Sequence, residues 1–132
     1  MPKPSAWLFL DTHAPGQSRF AFFEEGKPIK QVQIEGRASA LLPRLAKSLK
    51  PNLAGVCVVA GPGSFSSVRA GVLQANLIAR LLKLPLVGVT VDEALDLDAL
   101  HAELRDTRLK LSVPYVAPIY DKEPNITVPK PA

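Results

Sequence analysis

The hydrophobic and polar positions change their spacing along the chain, and each change marks a predicted element. Ala6–Asp11 (AWLFLD) is a short apolar run that ends in a polar cluster, which predicts a central strand. Residues 19–24 (RFAFFE) alternate loosely, and residues 29–34 carry three β-branched residues, which predicts two further strands. A short turn at 25–27 joins these two, so the opening of the chain is predicted to form an antiparallel meander.

A helical period follows this meander. Pro43 lacks a backbone N–H, so it is expected near the first turn of the helix or at a kink. Ala54–Ala60 (AGVCVVA) then predicts a strand buried on both faces, because its residues are small or β-branched without alternation. The residues that predict the helix fall at i, i+3, i+4, i+7 and i+11: Ala38, Leu41, Leu42, Leu45 and Leu49.

Residues 67–83 predict a second helix, and its apolar surface is wider than one sheet contact requires. A narrow polar edge divides that surface into two apolar flanks. The first helix of the chain or a partner's helix would cover the second flank, and both alternatives stay open. The polar edge holds Arg69, Asn76, Arg80 and Lys83; one flank holds Val68, Val72, Ala75, Ala79 and Leu82, and the other holds Leu73, Leu77, Leu81 and Leu84.

The remaining chain predicts one more strand, one more helix and an extended tail. Residues 86–89 (LVGV) predict a short strand, and Thr90 with Glu93 has the spacing of a capping box for a helix over 91–109. Five prolines from Pro114 onward exclude a regular helix and predict a segment extended along the surface or along a partner. The prediction is an α/β domain over 1–111, with a mixed five-stranded sheet and helices packed on it, and a proline-rich tail over 112–132.

Composition narrows the class of protein. Hydrophobic residues make up 47% and charged residues 21% of the 132 residues, as in an ordinary globular domain. The net charge of +4 would suit an acidic or nucleic-acid partner, but the basic residues are scattered along the chain, so solvated surface lysines and contact with RNA both stay open. Cys57 is the single cysteine, so we expect a buried thiol in a reducing compartment. No apolar run reaches the length of a membrane span, and we expect a cytoplasmic protein.

The loop 60–71 (AGPGSFSSVRAG) between a strand and a helix is the main candidate for chemistry. Such a loop can direct backbone N–H groups at an anion. It lacks the lysine of a Walker A loop, the third glycine of a dinucleotide fingerprint and the flanking glycines of a nucleophile elbow. An anion site and a tight connection whose glycines adopt unusual φ angles both stay open. The candidate anion ligands are Asp11, Thr12, Gly61, Gly63, Ser64 and Arg69.

No catalytic residue and no metal site are predicted. His13 and His101 are far apart in the sequence, and nothing places either one near a serine. With one cysteine and no paired His/Glu spacing, we expect no metal site. The acidic residues between 92 and 98 are expected to be solvated at a helix start, where the helix dipole favours them.

Four segments carry a resemblance to a known family. FLDT, ALLP, GPGSFSSVRAG and LPLVGVTVDEAL occur in that order over about residues 5–97, and together they resemble the TsaB (YeaZ) family. IYDKEPNI resembles the closing segment of that family, with Tyr120 at its usual tyrosine. The resemblance implies an actin-like (ASKHA, RNase H-like) fold, of which this chain would be a single half, and a role in making threonylcarbamoyladenosine on tRNA.

The resemblance also implies a non-catalytic subunit. Family members pair with the threonylcarbamoyl transferase subunit through helices of the N-terminal domain, and a P-loop ATPase subunit joins them. It implies no cofactor of the chain's own, with ATP or ADP bound only in complex with partners, and only indirect contact with tRNA. A small nucleotide- or anion-binding protein and a self-associating dimer remain alternatives. The predicted partner interface is Leu41, Leu45, Val68, Arg69, Val72, Leu73, Asn76, Leu77 and Arg80.

The chain departs from the family pattern at several positions. His13 replaces the usual serine after Asp-Thr, Arg37 replaces a histidine, and the family's G-S-F-T-G-L-R loses a glycine at Ser67. About 35 residues follow Leu97, so the family's second actin-like domain is expected to be missing or reduced. Asp106–Arg108 would be a remnant of its D-A-R segment. Without an interdomain cleft, independent ATP hydrolysis is not expected.

Overall fold

The structure, a computed structural model, describes residues 6–36, 40–48, 52–111 and 113–119, without the side chains of Phe65 and 106–111. The predictions made for Arg37, for the side chains of Asp106–Arg108 and for Tyr120 lie outside this description. Among the described residues, no helix combines the length and the apolar character that crossing a membrane would require.

Five strands form one mixed sheet in the order β3-β2-β1-β4-β5. The first three strands are an antiparallel meander, while β4 runs parallel to β1 and β5 runs parallel to β4. This is the predicted sheet, and it brings the carboxyl ends of β1, β4 and β5 to one edge. The strands are β1 (Ala6–Asp11), β2 (Gln17–Glu24), β3 (Gln31–Glu35), β4 (Leu53–Gly61) and β5 (Leu86–Thr90).

Helices cover both faces of the sheet. The helices are α1 (Leu41–Ser48), α2 (Phe65–Leu82) and α3 (Leu97–Leu111), with a short 3₁₀ helix (Glu93–Leu95) before α3. Side chains of α1 and α2 form the first core with alternate residues of the strands, on what we call the first face of the sheet. Side chains of the 3₁₀ helix and α3 form a second core on the opposite face. Burial in the second core raises the pKa of the Cys57 thiol, which stays a neutral, apolar side chain as predicted.

The helix predicted over 91–109 is divided into two. The Thr90–Glu93 capping box forms: the Glu93 amide donates to Thr90 Oγ1 (3.2 Å), and the Thr90 amide donates to Glu93 Oε1 (3.0 Å). This capping box caps only the short 3₁₀ helix, because the extended backbone of Asp96 interrupts the helical chain. Asp96 Oδ1 then accepts a hydrogen bond from the Ala99 amide (3.1 Å). Asp96 therefore begins α3 as a second cap. Pro43 lies in the first turn of α1, where its missing N–H breaks no hydrogen bond.

Residues 113–119 extend across the first face beside α2. The Val113 amide donates to Leu86 O (2.8 Å), and the Ile119 amide donates to Ala60 O (2.6 Å). Val116 is buried against Gly88, where an added Cβ would lie 2.9 Å from Val116 Cγ1. Of the two predicted courses, along the surface or along a partner, residues 113–119 follow the surface of the domain.

Candidate functional site

A partly buried polar cluster surrounds Asp11 at the carboxyl end of β1. Asp11 is 3% exposed and lies opposite Arg19 of β2, whose Nε donates to Asp11 Oδ2 (2.7 Å). The His13 amide donates to Asp11 Oδ1 (3.0 Å), and His13 Nδ1 lies 2.6 Å from the same oxygen. The Arg19 guanidinium also lies over the Phe9 ring, 5.2 Å from its centroid. Both oxygens of this candidate anion-site residue are engaged within the protein.

Thr12 is engaged in the same way. Its Oγ1 donates to Ser67 O (2.6 Å), and its side chain is almost fully buried. This bond ties the end of β1 to the first turn of α2. The hydroxyl that the sequence offered to a ligand is therefore used to position α2.

The glycines of the loop have different reasons for being glycine. Gly61 has φ +122°, precedes a cis peptide bond to Pro62, and accepts a hydrogen bond from the Val91 amide (3.0 Å). The prediction of an unusual φ is confirmed there. It is wrong for Gly63, which has no positive φ; instead, a Cβ at Gly63 would lie 2.5 Å from Val68 Cγ2. Close packing against α2 excludes a side chain at that position.

The loop lines an open cleft of about 500 Å³ at the edge where β1, β4 and β5 end. Ser64 precedes α2 without a side-chain cap, and its Oγ is buried with no hydrogen-bond partner among the described residues. Of the predicted anion ligands, Gly63 and Ser64 line this cleft and Arg69 does not. The cleft is lined by His13, Ala14, Pro15, Pro62, Gly63, Ser64, Val91 and Asp92.

No metal-binding cluster can be assigned in the described part of the chain. There, three or more histidine, cysteine, aspartate or glutamate side chains are nowhere close enough together to hold an ion.

Four residues of the predicted partner interface face the core. Leu41 and Leu45 of α1 are at most 1% exposed, and Val68 and Val72 of α2 are at most 3% exposed. They pack in the first core, because their stripe on each helix faces the sheet. Leu41, Leu45 and Val68 leave almost no side-chain surface exposed to a partner in this fold, whereas Val72 also lines the groove described below.

The other flank of α2 is exposed at three of its four leucines, while Leu84 is partly buried against the first core. Leu73, Leu77 and Leu81 are 65%, 48% and 71% exposed and follow one another at i, i+4 and i+8. We call these three residues the leucine ridge. The first helix was one of the two predicted covers for this flank. In the described part of the chain, α1 does not cover the leucine ridge.

A groove runs beside the leucine ridge, between α2 and residues 113–119. Asn76 joins its two sides: its Nδ2 donates to Val116 O (2.9 Å), and the Val116 amide donates to Asn76 Oδ1 (2.9 Å). Asn76 was predicted to lie at a partner interface, and its pairing with Val116 was not predicted. We call the space, of about 500 Å³, the α2–tail groove; it is lined by Arg69, Val72, Leu73, Asn76, Arg80, Pro114, Tyr115, Val116 and Pro118.

One family model matches the chain over residues 35–121, and its description is "TsaD: tRNA N6-adenosine threonylcarbamoyltransferase". Comparison with curated proteins gives no match. Two solved structures share the fold. One is described as an uncharacterized protein with similarity to peptidase YEAZ from Pseudomonas aeruginosa (24% identity, TM-score 0.57), and the other as YeaZ from Pseudomonas aeruginosa (26% identity, TM-score 0.57).

The matched part covers 65% of this chain but only 43% and 45% of those two structures, so the chain spans less than half of their length. The mixed five-stranded sheet with its helices is the actin-like fold that the sequence predicted. The predicted resemblance to TsaB (YeaZ) proteins is confirmed by the two comparisons together. The family model covers well over half of the chain, and the chain therefore belongs to the family that this model describes, with the fold of the YeaZ structures.

Proposed function

We propose that this chain is a non-catalytic, partner-binding subunit in the synthesis of threonylcarbamoyladenosine on tRNA. It binds and positions the related threonylcarbamoyl transferase subunit, and the leucine ridge is the surface through which it does so. The observation that carries the proposal is that ridge: three large apolar side chains exposed in a row on one helix. Contiguous exposed apolar surface is unusual on a monomer and marks a site of association.

The geometry of the ridge suits another helix. Residues spaced by four form the ridges that fit into grooves of a neighbouring helix. The opposite side of α2 is fixed in the first core by residues such as Val68, Val72 and Ala75, so the ridge is presented on a rigid element. A rigid surface loses little conformational entropy on binding, which favours a stable complex.

A non-catalytic role is supported by the hydrogen bonds that Asp11 and Thr12, two of the candidate anion ligands, make within the protein. The Asp11 carboxylate is engaged by Arg19 and His13, and the Thr12 hydroxyl is engaged by a backbone oxygen. Under this proposal ATP or ADP is bound only in the assembled complex, a P-loop ATPase subunit joins it, and tRNA is contacted indirectly. A nucleotide site confined to this chain would require these bonds to break first.

The test is the affinity of Leu77→Asp for the purified transferase subunit, measured by calorimetry. A carboxylate buried at the centre of an apolar interface should weaken binding roughly thirtyfold or more. Leu95→Asp is the matched control, because Leu95 is 78% exposed and lies on the 3₁₀ helix over the opposite face of the sheet. It should bind like the wild type, and both variants should keep the wild-type melting temperature.

Equal affinity of Leu77→Asp and wild type would contradict the assignment of the ridge. A different result would point to self-association: a wild-type chain that does not bind the transferase and sediments as a dimer, with Leu77→Asp sedimenting as a monomer. That outcome would replace the proposed partner by a second copy of the chain.

A further inference from the structure

We propose that the α2–tail groove binds an acidic segment of the partner, in which carboxylates flank an apolar side chain. This inference rests on the proposed function, since it assigns the chemistry of a second contact with the same partner. The ridge and the groove share Leu73, so one protein can occupy both surfaces.

The charged residues that line the groove are cationic. Arg69 and Arg80 line it, and Lys83 follows directly after α2. The sequence of α2 contains no aspartate or glutamate, and residues 113–119 (VPYVAPI) carry no charge. Arg80 is exposed at the end of the groove, where it can meet a carboxylate. A ligand with negative charge is therefore attracted to this groove.

The lining between the charges is apolar. Val72 and Leu73 form one side, and Val116, Pro114 and Pro118 form the other. Apolar walls with a few polar groups at the rim favour an apolar side chain of the ligand. The two prolines have no N–H to offer, so the tail is a poor template for adding a strand. We infer that side-chain insertion, rather than strand pairing, holds the segment.

Two other ligands fit less well. A second copy of α2 would bring its own arginines against Arg69 and Arg80, and like charges at an interface are repulsive. Single-stranded RNA is bound by a dense cationic track with several stacking aromatics. Among the residues that line this groove Tyr115 is the only aromatic, and the lining is otherwise largely apolar. An acidic protein segment matches both the charge and the lining.

The test compares Arg80→Glu, Arg80→Gln and wild type for binding to the purified transferase subunit at low and at high salt. Reversing the charge should weaken binding about tenfold at low salt and flatten its salt dependence, and glutamine should give an intermediate value. Lys30→Glu is the matched control, because Lys30 is an exposed cation just before β3, distant from the groove in the sheet order. It should change the affinity less than twofold. Arg80 is exposed, so the glutamine variant should fold like the wild type.

Leu77→Asp measured in parallel separates the two proposals. If Leu77→Asp weakens binding while both Arg80 variants bind like the wild type, the groove assignment is overturned and the proposed function stands. If wild type does not bind the transferase at all, both are overturned. If Arg80→Glu loses affinity only for a tRNA transcript, the groove is an RNA surface and the inference is overturned.

Discussion

Asp11 ends β1 in the position where a carboxylate can face a ligand cleft, but its neighbours already use both of its oxygens. Arg19 bonds one oxygen and also donates through Nη1 to Gln31 Oε1 (2.8 Å) on β3. One guanidinium therefore links three strands, and its carboxylate partner is buried. The sequence alone could name Asp11 as a candidate, but the pairing with Arg19 depends on the strand register.

Asp11→Asn should lower the free energy of unfolding by about 2 kcal/mol, because it removes the charge that holds Arg19 and His13. Urea unfolding monitored by circular dichroism measures the loss. Asp92→Asn is the control, since Asp92 is an exposed carboxylate at the rim of the cleft whose side chain makes no capping bond. A loss as small as that of the control would show that the cluster around Asp11 contributes little to stability.

At the scale of elements, the local sequence patterns predicted which helices and strands exist more reliably than they predicted the residues at which each one begins and ends. The 3.6-residue period of α2 separated Val68 and Val72 from Leu73 and Leu77, but the sequence could not tell which flank the sheet would bury. The helix predicted from Val91 was divided because the Asp96 side chain caps a second start. Capping is a competition between neighbouring residues, and a capping box at Thr90 alone does not decide it.

The course of the tail could not be predicted. Proline-rich composition indicated an extended segment, but not where it lies. Its position depends on contacts between residues far apart in sequence, such as Asn76 with Val116. The sequence of β5 contains one sign of this contact: residue 88 is a glycine, and a Cβ there would crowd Val116. Because the α2–tail groove is formed by the same contacts between distant residues, it could not be predicted from the sequence.

Asn76→Leu should release the central part of this tail. The change removes both hydrogen bonds with the Val116 backbone, and about 1–2 kcal/mol of local stability is expected to be lost. Hydrogen exchange of the Val116 amide should accelerate about tenfold, while amides of β1 and β4 keep their protection. Ser66→Ala, at an exposed position in the first turn of α2, is the control. Unchanged exchange at Val116 would mean that other contacts hold the tail.

For the molecule as a whole, burial is uneven. Two cores cover both faces of the sheet, and β4 is buried on both sides, yet α2 leaves a row of leucines exposed. The fold does not require these leucines for its own core. Contact of these leucines with water is energetically unfavourable in the isolated chain, and a partner that covered them would remove this cost.

Replacing Leu73, Leu77 and Leu81 together by glutamine should therefore make the isolated chain less prone to nonspecific aggregation without unfolding it. Glutamine and leucine have similar helix propensities, and exposed substitutions change stability little, so the melting temperature should stay within a few degrees. Light scattering and binding of an apolar dye measure the effect, with Leu95→Gln as the control. A large fall in melting temperature would show that the ridge is part of the core.

The docked tail also makes the stability of this chain depend on its ligand. Residues 113–119 form one wall of the groove, so any molecule that binds there binds only the form in which they are docked. Thermodynamic linkage then requires that the ligand hold the tail in place, and that the tail raise the affinity for the ligand by the same factor. At a ligand concentration about one hundred times the Kd, this is worth about 2.7 kcal/mol. A partner in the groove would act as a clasp that closes the C-terminal segment onto the domain.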